Sequence, residues 1–177
     1  TAQNLKQQID QNADRNGDRI WLVSPETGIE VTYAEAAEKI RAIAIRLDQI
    51  GVQQNESVAI ASQNSIAACI TFMGIVYGGY IAVPLNLAAG TKVMGYILSH
   101  CDAQLIMVSE DCATEINLAL QEAGKQVRQI RLHLETGPEW PEKVKVQRAA
   151  SRHQDPTGDD IGLLMYTSGT TGNPKGV

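Results

Sequence analysis

Four short runs that read as strands alternate with three helical segments through the middle of the chain. That alternation constrains the fold more than any other feature. The runs are residues 57–61, 80–84, 104–108 and 127–132, and the intervening segments cover about 65–77, 91–101 and 113–123. In the second segment Val93, Met94, Ile97, Leu98 and Cys101 share one face. In the third, Ile116, Ala119, Leu120 and Ala123 do, with Gly124 following as a stop. Apolar strands alternating with helices predict an α/β fold: a parallel-rich sheet with helices on both faces and right-handed crossovers.

The flanks are legible too. Leu5, Ile9 and Ala13 recur at helical spacing, and residues 20–23 and 29–33 read as two short strands around the turn at 24–28. Thr32 and Glu35 form a capping box, in which side chains and backbone N–H groups satisfy one another at a helix start. Ala36, Ile40, Ile43, Ala44 and Leu47 make the apolar stripe of that helix. Glu35–Lys39 is a favourably oriented i,i+4 pair, and Gly51 ends the segment. Residues 133–160 are punctuated by Pro and Gly and predict a surface excursion with a strand at 144–146. Residues 161–167 then predict a strand returning to the interior.

Composition removes several function classes. A net charge of -5 implies no basic face for nucleic acid or anionic membranes. With Phe72 the only phenylalanine, a stacking platform for single strands is not expected. Cys69, Cys101 and Cys112 have no paired spacing, so neither a zinc site nor a disulfide framework is suggested; thiols in a reducing, cytoplasmic compartment are expected. Residues 57–91 carry no Asp, Glu, Lys or Arg. However, Gly78-Gly79 and Pro84 break that stretch, which reads as a buried helix and strand and not as a membrane span.

The last segment carries the chemistry: Tyr166-Thr167-Ser168-Gly169-Thr170-Thr171-Gly172-Asn173-Pro174-Lys175-Gly176-Val177. Glycines let backbone N–H groups approach a ligand closely, hydroxyls donate without bulk, and lysine supplies a compact cation; together they suit a polyanion. The generic phosphate loop G-x-x-x-x-G-K-[ST] is not matched, because Asn173-Pro174 follows Gly172. Pro174 removes a donor and drives Asn173 towards an extended conformation, so the loop is expected between two strands, not before a helix. On composition alone a flexible Gly/Ser/Thr linker remains an alternative.

Residue order goes further. Residues 166–177 resemble the phosphate-binding signature of the adenylate-forming superfamily. Thr32-Tyr33-Ala34-Glu35 with Val58-Ala59-Ile60, and residues 74–86, are similar to two further motifs of that family. The resemblance covers essentially the whole chain and is most like an acyl-CoA synthetase. Asn86 after the Val-Pro-Leu run favours that branch over peptide-synthetase adenylation domains, which usually carry Asp. It implies that residues 1–177 form the N-terminal part of the large AMP-binding domain, ending at the loop 166–177. It also implies that Thr167, Ser168, Gly169, Thr170, Thr171, Gly172 and Lys175 hold the phosphates of ATP.

The reaction implied uses ATP and Mg2+ to activate a carboxylic acid as acyl-AMP and then transfers the acyl group to coenzyme A. A carrier protein as acceptor, or a non-catalytic domain of the same fold, are the alternatives. No catalytic residue is expected within these residues, and the missing C-terminal portion is the implied partner. The second strand of the phosphate hairpin is expected to lie past the last residue. Among other candidates, His100-Cys101-Asp102 is set aside because consecutive helical residues do not share a face. His133 and His153 show no sequence partner, and Trp21 and Trp140 are expected to pack.

Overall fold

A computed structural model describes residues 4–142, 154–167 and 174–177. Helix α1 (Leu5–Asn16) starts at Asn4, whose side chain accepts from Gln7 N while the Gln7 side chain accepts from Asn4 N. Strands β1 (Ile20–Val23) and β2 (Glu30–Thr32) pair antiparallel. Thr32 both ends β2 and caps α2 (Tyr33–Gln49): its Oγ1 accepts from Glu35 N at 3.3 Å, and Glu35 Oε2 accepts from Thr32 N at 2.9 Å. The capping box is therefore formed as its residue types dictate. Gly51, two residues past the helix, adopts φ 83°, where only glycine is unstrained.

The central sheet follows. It comprises β3 (Ser57–Ala61), β4 (Ile81–Pro84), β5 (Leu105–Val108), β6 (Arg128–His133) and β7 (Gly137–Pro138). The order is β4-β3-β5-β6-β7; the first four are parallel and β7 is antiparallel. Helices α3 (Ile66–Tyr77), α4 (Thr91–His100) and α5 (Ala113–Ala123) are the crossovers. Each predicted element of this unit is present, with boundaries shifted by a residue where they move at all.

Strand pleating divides the core in two. Val58, Ile60, Ala82, Leu105, Met107, Ile130 and Leu132 meet α2 and α3 on one face. Ala59, Ala61, Val83, Ile106 and Val108 meet α4 and α5 on the other. The chain steps from β3 to β4 with its helix on the first face, then reverses across β3 to β5 with its helix on the second. Crossovers of one hand require this exchange of faces when the direction reverses. At β6 the second face is open, which is why Gln129, Arg131 and His133 alternate with buried Ile130 and Leu132.

Two glycines set helix spacing. A Cβ on Gly74 would lie 2.6 Å from the Ile43 side chain, so α3 sits tightly on α2; one on Gly95 would lie 2.6 Å from the Ala119 carbonyl oxygen, so α4 touches the α5 backbone. A second fixed point ties α1 to both α2 and α3. Arg41 donates from Nη2 to Asp10 Oδ1 at 2.6 Å, and Tyr77 Oη donates to the same carboxylate at 3.0 Å.

The stretch 133–160 departs partly from expectation. It opens as the β6–β7 hairpin, Trp140 packs on the first-face core, and the segment from 154 returns past the turn before β3, where Gln54 Nε2 donates to Gln154 O at 2.9 Å, and the start of α1, where Lys6 pairs with Asp155. The strand expected at 144–146 lies outside the described residues. Trp21 stacks on Tyr33 at 5.2 Å, a packing role for each tryptophan as expected.

Residues 161–167 are not the buried strand their apolar content suggested. They run beside β4 at the sheet edge, held by a single parallel bridge, Ala82 to Leu163. Ile161, Leu163 and Met165 are 63%, 38% and 49% exposed, because they share the face turned away from the core on which Leu164 and Tyr166 pack.

The Gly95 contact is with backbone, which cannot rotate away. Gly95→Ala is expected to destabilise the chain by about 1–3 kcal/mol. Urea unfolding should show a lower midpoint at unchanged slope; an unchanged midpoint would mean α4 and α5 can separate without loss.

Candidate functional site

Segment 161–165 inherits its direction from β4. Ala82 N donates to Gly162 O at 3.0 Å and Leu164 N donates to Ala82 O at 2.9 Å, which is parallel pairing. The chain therefore leaves this segment at the carboxyl edge of the sheet, the edge where open parallel sheets bind ligands. It leaves next to β4, whose following helix and that of β3 lie on opposite faces.

There it forms a hairpin stem. Strand β8 (Tyr166–Thr167) pairs antiparallel with β9 (Lys175–Gly176). Tyr166 faces Gly176 and Thr167 faces Lys175, while Met165 and Val177 exchange backbone hydrogen bonds of 2.9 and 2.7 Å. The glycine loop does join two strands, as the Asn-Pro step dictated. The expectation that its second strand lies past the last residue is corrected: Lys175-Gly176 is that strand. Pro174 lies just before it, where a missing N–H costs no ladder bond.

Of the seven residues expected to hold phosphate, the structure brings Thr167 and Lys175 together as a directly opposed pair, both exposed. Opposed residues of an antiparallel pair project to one face of the ribbon. A hydroxyl and an ammonium thus flank the mouth of the loop. Ser168, Gly169, Thr170, Thr171 and Gly172 lie outside the described residues.

The stem is anchored by residues that sequence reasoning set aside. His100 Nδ1 lies 2.7 Å from Tyr166 Oη. The His100 ring meets Tyr166 edge-on at 5.6 Å and stacks on Tyr96 at 5.5 Å. Burial, with smaller effects from Cys101 and Tyr96, pushes the Tyr166 phenol up to about 12, so it keeps its proton. A phenol that keeps its proton can donate to Nδ1. The Tyr96–His100 spacing of i,i+4 was readable in the sequence; its meeting with Tyr166 was not, because no local pattern reports a contact 66 positions away.

Other candidates resolve simply. Cys101 is buried beneath α4 and burial pushes its thiol up to about 11; burial also raises Cys69 and Cys112. None of these thiols is activated. His133, expected without a partner, has one: Glu139 Oε2 at 3.3 Å across the β6–β7 hairpin. His153 lies outside the described residues. Asn86 accepts from Ala88 N at 3.1 Å and starts the short turn Leu87–Ala89. Asp would serve equally there, so its value as a branch marker has no chemical basis in this contact. Among the described residues no group of three or more His, Cys, Asp and Glu side chains could hold a metal, and no helix is long and apolar enough to cross a membrane.

Comparison with known proteins identifies the family. The sequence model of the family described as AMP-binding enzyme matches residues 9–177. The chain is 32% identical over 163 residues to a sulfoacetate–CoA ligase of Cupriavidus necator, covering 90% of this chain and 31% of that protein. It is 29% identical over 161 residues to the long-chain-fatty-acid–CoA ligase FadD13 of Mycobacterium tuberculosis, covering 88% and 30%. The inhibitor-bound N-terminal domain of FACL13 from Mycobacterium tuberculosis superposes with a TM-score of 0.79 at 27% identity, over 99% of this chain and 44% of that one. The chain thus spans about a third of the length of the curated relatives it matches.

Two acids at the anchor set an alkaline limit. Cys101 and Tyr166 are raised from ordinary values of 9.0 and 10.0 to about 11 and about 12. Above pH 9 the unfolded chain therefore loses protons that the folded chain keeps, and stability falls. The contribution is complete below about pH 9 and is lost as pH passes those folded values. Melting temperature should be lower at pH 10.5 than at pH 8, and the drop should shrink in Tyr166→Phe; an equal drop in both proteins would place the loss elsewhere.

Proposed function

We propose, since the chain belongs to the AMP-binding enzyme family, that it is the N-terminal part of the large domain of an ATP-dependent acid–thiol ligase and supplies the loop that holds ATP's phosphates. One observation carries this reading. The antiparallel stem at the carboxyl edge of the sheet sets Thr167 opposite Lys175 across the mouth of a glycine- and hydroxyl-rich loop.

The chemistry explains why such a loop is needed. A carboxylate oxygen attacks the α-phosphorus of ATP; the new O–P bond forms as the bond to the bridging oxygen breaks, and pyrophosphate leaves with that electron pair. Negative charge grows on the leaving group while a second anion approaches. Donors fixed in advance around the β- and γ-phosphates lower that barrier more than mobile ones. In this reading backbone N–H groups of Gly169–Gly172 and the hydroxyls of Thr167, Ser168, Thr170 and Thr171 donate to those phosphates, and Lys175 adds charge. Mg2+, implied by the resemblance, would neutralise the remaining phosphate charge. A thiol then displaces AMP to give a thioester. The names of the relatives, CoA ligases for sulfoacetate, long-chain fatty acids and benzoates, support coenzyme A as that thiol and a carboxylic acid as co-substrate. The remaining two thirds of such an enzyme would bring the acid pocket, the adenine and ribose contacts and a C-terminal domain.

The full-length enzyme should catalyse exchange of labelled pyrophosphate into ATP only when its carboxylic acid is present, and residues 1–177 alone should catalyse none. Exchange by the isolated chain would overturn the division of labour. Thioester should form with coenzyme A and not with a phosphopantetheine carrier protein; the reverse would move the enzyme to the carrier-dependent branch.

In the full-length enzyme Lys175→Ala is expected to slow adenylate formation by about a hundred- to a thousand-fold, the scale of losing one fixed charge-stabilising donor. Thioester formation from preformed acyl-AMP should change little. Equal losses in both half-reactions would remove Lys175 from the pyrophosphate site.

A further inference from the structure

The phosphate hairpin has a stem too short to hold itself. Its two strands are two residues each, with one further pair of backbone bonds between Met165 and Val177. An isolated ribbon of that size is not stable in water. On one side the segment leading into it is tied to β4 through Ala82. Leu164 and Tyr166 reach into the second-face core, and Gly176 lies against both: a Cβ there would meet Leu164 Cδ1 at 3.0 Å and the Tyr166 ring at 3.5 Å. The directed polar contact in this anchor is Tyr166 Oη with His100 Nδ1.

His100 is itself well placed to serve as a fixed point. It is the last residue of α4, a helix rooted by buried Met94, Ile97 and Leu98 and pressed on the α5 backbone at Gly95. Its ring is held on the other side by Tyr96, one helical turn earlier. A contact to a rigid helix end fixes the position of Tyr166, and Tyr166 is one residue from Thr167 and opposite the residue that follows Lys175.

From this geometry we infer that His100 is a positioning residue for ATP: its Nδ1, bonded to Tyr166, holds the hairpin stem so that Thr167 and Lys175 face the phosphates. The inference rests on the reading of 166–177 as the ATP phosphate loop. His100 touches no phosphate itself. Its loss is therefore expected to weaken ATP binding without touching the acid site or the thiol step.

The identity of the nitrogen gives a sharp test. Asn places a polar atom close to the position of Nδ1, whereas Gln reaches towards Nε2. In the full-length enzyme, His100→Ala and Tyr166→Phe should each raise KM for ATP about five-fold, the scale of one hydrogen bond. The double variant should be no worse than the more impaired single one, and KM for the acid should hold. His100→Asn should stay within about twofold of the parent; His100→Gln should behave like Ala. Melting curves on Tyr166→Phe, which keeps the packed ring, show whether the fold persists.

Additive losses in the double variant would assign His100 to capping α4 only and overturn the inference. So would a parent-like KM for ATP in His100→Ala, or rescue by Gln in place of Asn. Absence of acid-dependent pyrophosphate exchange in the parent enzyme overturns the functional reading and this inference together. Exchange in the parent with unaltered variants overturns this inference alone.

Discussion

Strand β3 is the element on which the rest of the structure depends. It is buried at every position and flanked in parallel by β4 and β5. Its alternate side chains feed two separate cores, Val58 and Ile60 on one face and Ala59 and Ala61 on the other. Small side chains on the second face let α4 and α5 approach closely; larger ones on the first fill the space beneath α2 and α3. Because the chain departs from β3 in one direction and returns past it in the other, the helices must change faces. That reversal puts the switch point of the sheet between β3 and β5 at the carboxyl edge, and the hairpin leaves the same edge one strand away, beside β4.

The fold was legible because its elements are specified locally. The capping box at Thr32–Glu35, the stop at Gly124 and the apolar stripes of α4 and α5 each carry their own geometry. Two features misled for one reason. Residues 161–167 carry the apolar side chains of a buried strand, but hydrophobicity reports what a segment is built to contact, and here only the face that carries Leu164 and Tyr166 packs on the core. His133 looked solitary because its partner Glu139 arrives by a hairpin, and hairpin register is invisible to composition. The same limit hid the His100–Tyr166 bond.

The site is legible in a different way. Pro174 and Asn173 disfavour a helix by backbone sterics alone, and the antiparallel stem follows. This separates the loop from phosphate loops that open a helix, where aligned peptide dipoles add to the field. A hairpin has no such dipole. In the proposed reading its electrostatic contribution comes from backbone N–H groups, hydroxyls and a real charge, and the segment carries Lys175 at the start of the returning strand.

Preorganised donors are useful only if they stay where charge will develop. Backbone pairing to Ala82 fixes the stem within the sheet, and Leu164 buries one side chain beneath it. Neither contact fixes rotation of the ribbon about its own axis. A phenol held at its far end does, because Tyr166 Oη lies at the full length of the side chain and so has the longest lever on that rotation. Placing the acceptor on the last residue of α4 ties the orientation of the ribbon to the α4–α5 pair, which Gly95 seats against backbone. In this way the packing of the second-face core sets the direction in which Thr167 and Lys175 point.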